Sequence, residues 1–428
     1  MSTTGSRSRF AATAAFVLVV LLPGLAQAQL PSAAGGLGNN LEWVKTVVID
    51  TVPTQVPGYA SVFGDTLFLS DGVQGVNIYD VSDPLNPLLV AELNTPGPSF
   101  YPDQVGAYIT YGRYTTNGKI LLQAGYDEDS RYFPGEEATM TLYVFDVSDP
   151  ANPQRLGKLT RKLAHHYGGA FCILDCKWAY DRGGGIIDLR DPSAPKPAGN
   201  WLKGLRFHSA HFTKGPAATD IVEIARGVVA TGTVPMYVLD VSRPTKPRVL
   251  ARSDGSPSTR GSIAWPDFAA GGPLLTSNVG GIGAGREHCG VAAEDEGSSK
   301  DSLFATWDGS HWRKSNLLTR VDQYRPRNGT YTDGDPAVSG SNIAYGGGCA
   351  VGYFHVRRSR GGTYLAAVAT RGHGMKLLEV DRAGRISQHG WFLPHGGSTL
   401  NSVWVTDRVI YTIDSHRGID ILRYTGDL

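Results

Sequence analysis

The chain has 428 residues, with 40 Lys+Arg against 39 Asp+Glu and a formal net charge of +1. That balance excludes the basic excess with which a nucleic-acid binder neutralises phosphates. Hydrophobic residues make up 41% and charged residues 18%, which excludes a disordered chain, and 54 Gly with 25 Pro favour turns and short strands over long helices.

In chain order, residues 1–28 read as a signal peptide. Arg7 and Arg9 give a positive start, Ala11 to Leu22 is apolar apart from Thr13, and Ala26-Gln27-Ala28 is a small-x-small cleavage site. The apolar run is shorter than a comfortable bilayer span, and no later stretch reaches ~18 uninterrupted apolar residues. The mature chain is expected to begin at Gln29 and to lie outside the cytoplasm, periplasmic or extracellular, without a membrane span. Residues 29–40 read as a flexible lead-in and 41–428 as one domain.

Trp43 to Ile49 is an isolated strand. It is followed by Tyr59 to Phe63, the turn Gly64-Asp65, Thr66 to Ser70, Val76 to Asp80 and Leu88 to Leu93, four strands in a row. Asp80-Val-Ser-Asp-Pro-Leu-Asn-Pro87 recurs as Asp146-Val-Ser-Asp-Pro-Ala-Asn-Pro153, as Asp188-Leu-Arg-Asp-Pro-Ser-Ala-Pro195 and as Asp240-Val-Ser-Arg-Pro-Thr-Lys-Pro247. Each copy follows an alternating apolar strand and precedes another, and its Asp and Pro residues carry turn chemistry. Weaker copies place the Asp80 position near 307, 379 and 423. Seven four-stranded units make an all-β chain, a β-propeller. Six or eight blades is the alternative count, because 240–379 is the degenerate stretch. The last unit, ending in Ile419 to Tyr424, supplies only three strands, so the N-terminal strand is expected to complete it in a 3+1 closure.

Four cysteines in an exported chain read as two disulfides. Cys172 and Cys176 flank Ile173-Leu-Asp175 between strand-like residues, which puts them opposite each other across a tight turn; Cys289 and Cys349 then pair by elimination.

The segments Leu67-Phe-Leu-Ser-Asp71, Gly75-Val-Asn-Ile-Tyr-Asp-Val-Ser-Asp-Pro84 and the 142–153 copy resemble the LVIVD repeat, which builds exported β-propellers. The resemblance implies a fold and an extracytoplasmic location, and no single activity. Around Cys349-Ala-Val-Gly-Tyr-Phe354 the chain departs from it, with Gly352 where a His is expected.

In a propeller, the loops between the second and third strands and the connections between blades share one face. The repeat register sends eight of the 11 histidines there. His165 and His166 fall between units 2 and 3, His208 and His211 between 3 and 4, and His395 between 6 and 7, while His288, His373 and His416 fall in second-to-third-strand loops. Asp103 in Tyr101-Pro-Asp103 and Asp267 in Trp265-Pro-Asp267 are assigned to corresponding connections. His166, His211 and His395 are the candidate metal ligands, for Zn, Fe or Cu. Tyr101, Asp103, His208, Trp265, Asp267, His373 and His416 are the candidate ligand-binding residues. Gly281-Ile-Gly-Ala-Gly285 precedes no helix that would cradle a phosphate, and Gly-x-Ser-x-Gly is absent. The expected function is a monomeric binding module with a His/Asp-rich pocket for a cell-envelope or extracellular ligand. The alternative is a metal-dependent hydrolase, lyase or oxidase, and the sequence assigns no catalytic residue.

Overall fold

Seven sheets account for every strand in the computed structural model, which describes residues 35–49, 57–71, 75–94, 114–126, 138–163, 170–181, 184–200, 207–214, 220–226, 236–253, 263–278, 303–324, 351–370, 373–395, 399–414 and 417–427. Blade 1 comprises Pro57–Phe63, Thr66–Asp71, Gly75–Asp80 and Leu88–Asn94. Blade 2 comprises Tyr114–Thr116, Ile120–Tyr126, Ala138–Asp146 and Gln154–Leu163, and blade 3 Ala170–Ile173, Trp178–Asp181, Gly185–Asp188 and Lys196–Asn200. Blade 4 comprises Phe207–Lys214, Asp220–Arg226, Met236–Asp240 and Arg248–Ser253, and blade 5 Ile263–Ala264, Leu274–Asn278, Leu303–Trp307 and Arg320–Tyr324. Blade 6 comprises Phe354–Arg358, Tyr364–Ala369, Met375–Val380 and Ile386–Pro394. Blade 7 takes Thr399–Trp404, Val409–Asp414 and Gly418–Tyr424 and is completed by Leu41–Val47, which runs antiparallel to its third strand with Leu41 opposite Tyr424 and Val47 opposite Ile419. The propeller therefore has seven blades and closes 3+1, as the repeat arithmetic requires.

Gly36–Asn39, inside the segment read as a lead-in, is also a strand. It lies along the outer strand of blade 6, with Gly36 opposite Pro394. Residues 36–47 thus strap two blades together. Gly418, at φ +102°, starts the third strand of blade 7 flush against this strap: an added Cβ would meet the Val47 carbonyl oxygen at 2.4 Å.

Each blade interface carries its own apolar cluster. Leu67, Leu69, Ile413 and Ile419 join blades 7 and 1, and Phe68, Ile78, Leu121 and Phe145 join 1 and 2. Val144 and Ile187 meet between 2 and 3, and Tyr180 and Leu239 between 3 and 4. Val238 and Trp307 join 4 and 5, Phe304 and Val368 join 5 and 6, and Leu377 and Leu422 join 6 and 7. Alternate residues of one strand serve opposite interfaces, which is why the middle strands read as continuous apolar runs.

The recurrent turn has a direct hydrogen-bond explanation. The first Asp closes the strand by accepting the backbone N–H two residues on: Ser82 to Asp80 at 2.8 Å, Ser148 to Asp146 at 2.9 Å, Arg190 to Asp188 and Ser242 to Asp240 at 3.0 Å. The second Asp repeats the device and takes the Asn three residues on, as in Asn86 to Asp83 at 2.7 Å. These bonds hold the Asp80 and Asp146 carboxyls below the usual carboxylate range. In blade 5 the same role falls to Asp308, one residue beyond the expected position, and in blade 6 Asp381, two residues beyond, closes the turn by accepting the Arg385 backbone N–H four residues on; both turns lack the paired prolines. Tyr180 and Tyr411 reach across to the next blade's turn, each donating to a proline carbonyl at 2.6 Å, Pro244 and Pro84.

Cys172 and Cys176 form a disulfide, with Cα atoms 4.6 Å apart. The bridge is not the cross-strand pair expected. Cys172 lies opposite Ala179, and Cys176 sits within the turn. Leu174, Asp175 and Cys176 are consecutive left-handed residues at φ 50°, 59° and 54°, which curl Cys176 back beneath its partner. Such residues cost ~1–2 kcal/mol each, and Asn117 of blade 2 helps hold them through Asp175 at 2.9 Å. Cys289 and Cys349 lie outside the described residues. Mass analysis of the unreduced native chain is expected to find Cys172 joined to Cys176 and Cys289 to Cys349; four free thiols would reject both bridges.

Candidate functional site

Antiparallel order within each blade puts all first-to-second and third-to-fourth turns on one face, here the proline-turn face. The opposite strand ends, from which the second-to-third loops and the blade-to-blade connections leave, define the other face, here the connection face. The candidate residues divide between them.

His395 is on the connection face, directly after the outer strand of blade 6. Its backbone N–H donates to the Gly35 carbonyl at 3.1 Å and its own carbonyl accepts from Arg417 Nη1 at 3.0 Å, while the residue is exposed. His373, in the second-to-third loop of blade 6, is buried at 1% exposure. Burial, with Lys376 nearby, pushes its ring down to about 3, so it is neutral at ordinary pH.

His208 and His211 are not in a connection. They belong to Phe207–Lys214, the innermost strand of blade 4, where His211 pairs with Glu223 across the sheet. The strand escapes a sequence reading because its partner Asp220–Arg226, not its own composition, supplies the apolar alternation. Trp265 and Asp267 are on the opposite face from the one expected. The inner strand of blade 5 is only Ile263–Ala264, so Trp-Pro-Asp is the turn that follows it and not the connection that precedes it. There Trp265 is core: 1% exposed, Nε1 donating to Gly272 at 2.8 Å, and packed on Phe268 and Trp312. Asp267 accepts from the Tyr364 hydroxyl at 2.7 Å with Arg358 3.5 Å away. Gly352 has a steric reason, since a Cβ would meet the Leu400 carbonyl oxygen at 2.6 Å. Tyr101, Asp103, His166 and His416 lie outside the described residues.

The structure adds residues that sequence reading missed. Arg417 Nη1 donates to the carbonyls of Gly35 and His395, and Nη2 to Thr46 Oγ1 at 3.1 Å and Asp420 Oδ1 at 2.7 Å. Thr46 also donates to Asp420 Oδ1 at 2.5 Å, and the Arg417 backbone N–H donates to Asp414 at 3.2 Å. Asp414 and Asp420 are fully buried. Burial, partly offset by Arg417 and Thr46, pushes the Asp420 carboxyl up to about 6. One signal was available: Asp414 and Gly418 repeat the four-residue spacing of Asp181 and Gly185, where Asp181 accepts the Gly185 N–H at 2.8 Å. The cluster fixes the strap, the last blade and the His395 corner as one unit. Among the described residues no three His, Cys, Asp or Glu side chains converge to hold a metal ion.

Fold and site together define a seven-bladed, all-β propeller with a polar corner on its connection face. The LVIVD-repeat family model matches residues 58–95, nearly the whole of blade 1, so the chain carries the LVIVD repeat within this ring. No curated protein matches the chain.

Proposed function

We propose that the chain is an exported, monomeric binding module that takes a cell-envelope or extracellular ligand on its connection face. The observation that carries this is His395. It is exposed on that face and held on both backbone sides by Gly35 and Arg417, a fixed polar group on a rigid ring. His208 and His416, with Tyr101 and Asp103, are the residues proposed to line the pocket around it, while His373, at 1% exposure, lies beneath it. The leader-like residues 1–28 and the Cys172–Cys176 bridge both support a periplasmic or extracellular location.

The metal-dependent enzyme is supported by two placements: His211 is on the innermost strand of blade 4, and His395 is exposed on the connection face. His166, His211 and His395 are the proposed ligands for Zn, Fe or Cu.

Two measurements separate the readings. Glycan and peptide arrays probed with the purified chain are expected to give a ligand whose affinity falls at least tenfold in His395→Ala with melting unchanged; undiminished binding would remove His395 from the site. Elemental analysis after reconstitution decides the metal, and His211→Ala is expected to lower metal content if one is held. Less than about 0.1 equivalents of any transition metal in the wild type would end the metal reading, given the tight affinity of built sites.

A further inference from the structure

The turn after the third strand changes sign in blade 4. The position held by Asp83, Asp149 and Asp191 in blades 1 to 3 is Arg243, and Lys246 stands where blades 1 and 2 have Asn86 and Asn152. The change gives up hydrogen bonds. Asp83, Asp149 and Asp191 each accept the backbone N–H two residues on, at 3.0–3.1 Å. Asn86 and Asn152 donate to the first two of these carboxylates at 2.7 and 2.9 Å. Arg243 has no acceptor with which to replace them, and the turn keeps only the backbone bond from the Lys246 N–H to the Arg243 carbonyl, at 2.8 Å. Residues that break a local structural rule without a structural return point to function.

Further basic residues collect beside this turn. The outer strand that leaves it carries Arg248 and Arg252, and the helix Trp312–Ser315 of blade 5 carries Arg313 and Lys314. Leu317–Leu318 pairs with the outer edge of that strand, and Trp312 joins the same apolar cluster as Ala251, which holds the helix against the edge. Residues 240–253 and 308–319 thus bring six Lys and Arg, all exposed, against two Asp, in a chain whose formal net charge is only +1. Asp254, the next residue, lies outside the described residues. Both acids are engaged locally, Asp240 by Ser242 and Arg248, and Asp308 by Ser310 and His311. Of the six cations, Arg248 alone forms an ion pair among the described residues. Val249, between them, is 47% exposed.

We propose that this seam, the outer edge of blade 4 with the blade 5 helix against it, binds a linear carboxylated polysaccharide. The row follows the six residues Arg248–Ser253, about 17 Å of extended strand, with the basic turn at one end. An extended row suits a chain, and guanidinium forks suit carboxylates. Val249 offers apolar contact to the C–H face of a sugar ring, which a bare phosphate chain does not present. A flat anionic bilayer fits less well, because the neighbouring turns of the same face present Asp83, Asp149 and Asp191, all exposed. The surface is separate from the His395 corner, which is on the connection face.

The test titrates labelled oligogalacturonate with the full purified chain, read by fluorescence anisotropy, with inorganic polyphosphate and phosphatidylglycerol vesicles as competitors. Salt is held at about 0.15 M, where longer-range attraction is screened. Saturable binding is expected, tighter than to either competitor. Arg243→Asp with Lys246→Asn restores the bonds of the other turns, and is expected to weaken binding roughly tenfold while Tm holds or rises. Arg155→Asp with Lys158→Asn makes the same charge change on the exposed outer strand of blade 2, and is expected to leave binding within about twofold. Lys314→Glu, on the helix, is expected to weaken binding severalfold and serves if the first variant does not fold. Absence of saturable binding, tighter binding of polyphosphate or the vesicles, or equal losses in the two double variants would overturn the site.

Discussion

Deleting residues 29–50 is expected to abolish the cooperative melting of the propeller. The deletion removes Leu41, which is buried, and Trp43, Val44 and Val47, which pack against the clusters on either side of blade 7. Full burial of such side chains contributes ~1.5–3 kcal/mol each, and all but Leu41 are partly exposed, so roughly 5 kcal/mol is at stake. That is comparable with the whole stability of a typical domain, ~5–15 kcal/mol. The deletion also bares the edge of Gly418–Tyr424, rich in Ile and Leu, and the outer edge of blade 6, which invites strand-to-strand association. Calorimetry with size-exclusion chromatography reads both effects. A truncated chain that melts as a monomer at the wild-type temperature would refute closure by the strap.

Acid is expected to destabilise the fold well above the ordinary carboxylate range. His355 accepts the Trp404 backbone N–H at Nδ1, 3.2 Å away, and burial pushes its ring down to about 4; His373 is pushed down to about 3. Unfolded imidazoles titrate near ~6.5, so between that pH and about 4 the unfolded chain binds more protons and stability falls as pH falls. For His355 alone the shift corresponds to ~3 kcal/mol at most, with His373 adding a comparable amount. Asp420 acts in the opposite sense. Its carboxyl is raised to about 6, so its burial penalty is relieved as pH falls through that value, an effect of ~3 kcal/mol. Two histidines outweigh one carboxylate, and Tm is expected to drop steadily from pH 7 to 4.5. His355→Gln should flatten the profile, and a wild-type profile already flat over this range would rule out buried neutral rings as its source.

The fold was legible wherever a turn announces itself. The Asp-x-x-Asp-Pro signature marks the ends of the third strands in blades 1 to 3, and blade 4 keeps its first Asp and both prolines, because the same side-chain bonds must close each hairpin. It fades in blade 5, where Asp308-Gly-Ser-His-Trp312 opens a four-residue helix, Trp312–Ser315, and Leu317–Leu318 then runs parallel to the outer strand of blade 4. The errors arose at inner strands. These are short or polar, so the pattern around His208, His211, Trp265 and Asp267 is that of a connection and not of a strand or its turn. The Arg417 corner was hidden for another reason: Thr46 and Asp420 are 374 positions apart, and no local pattern reports a contact made only by closing a ring.

The strap also fixes an order of events. Residues 36–47 leave the ribosome, and cross a membrane if the chain is exported, long before their partners at 386–394 and 418–424 exist. Until then the earliest-made strand has no sheet to join. The contact that finishes the ring has nearly the largest sequence separation the chain allows, which makes it slow to find. Blades 1 to 6 can condense one after another on local hairpins, but the last waits for the first segment to return. A chain cut short near its C-terminus would therefore leave two incomplete places, blade 7 and the unclaimed strap, which is the circumstance in which one copy's N-terminal strand can complete another copy's ring.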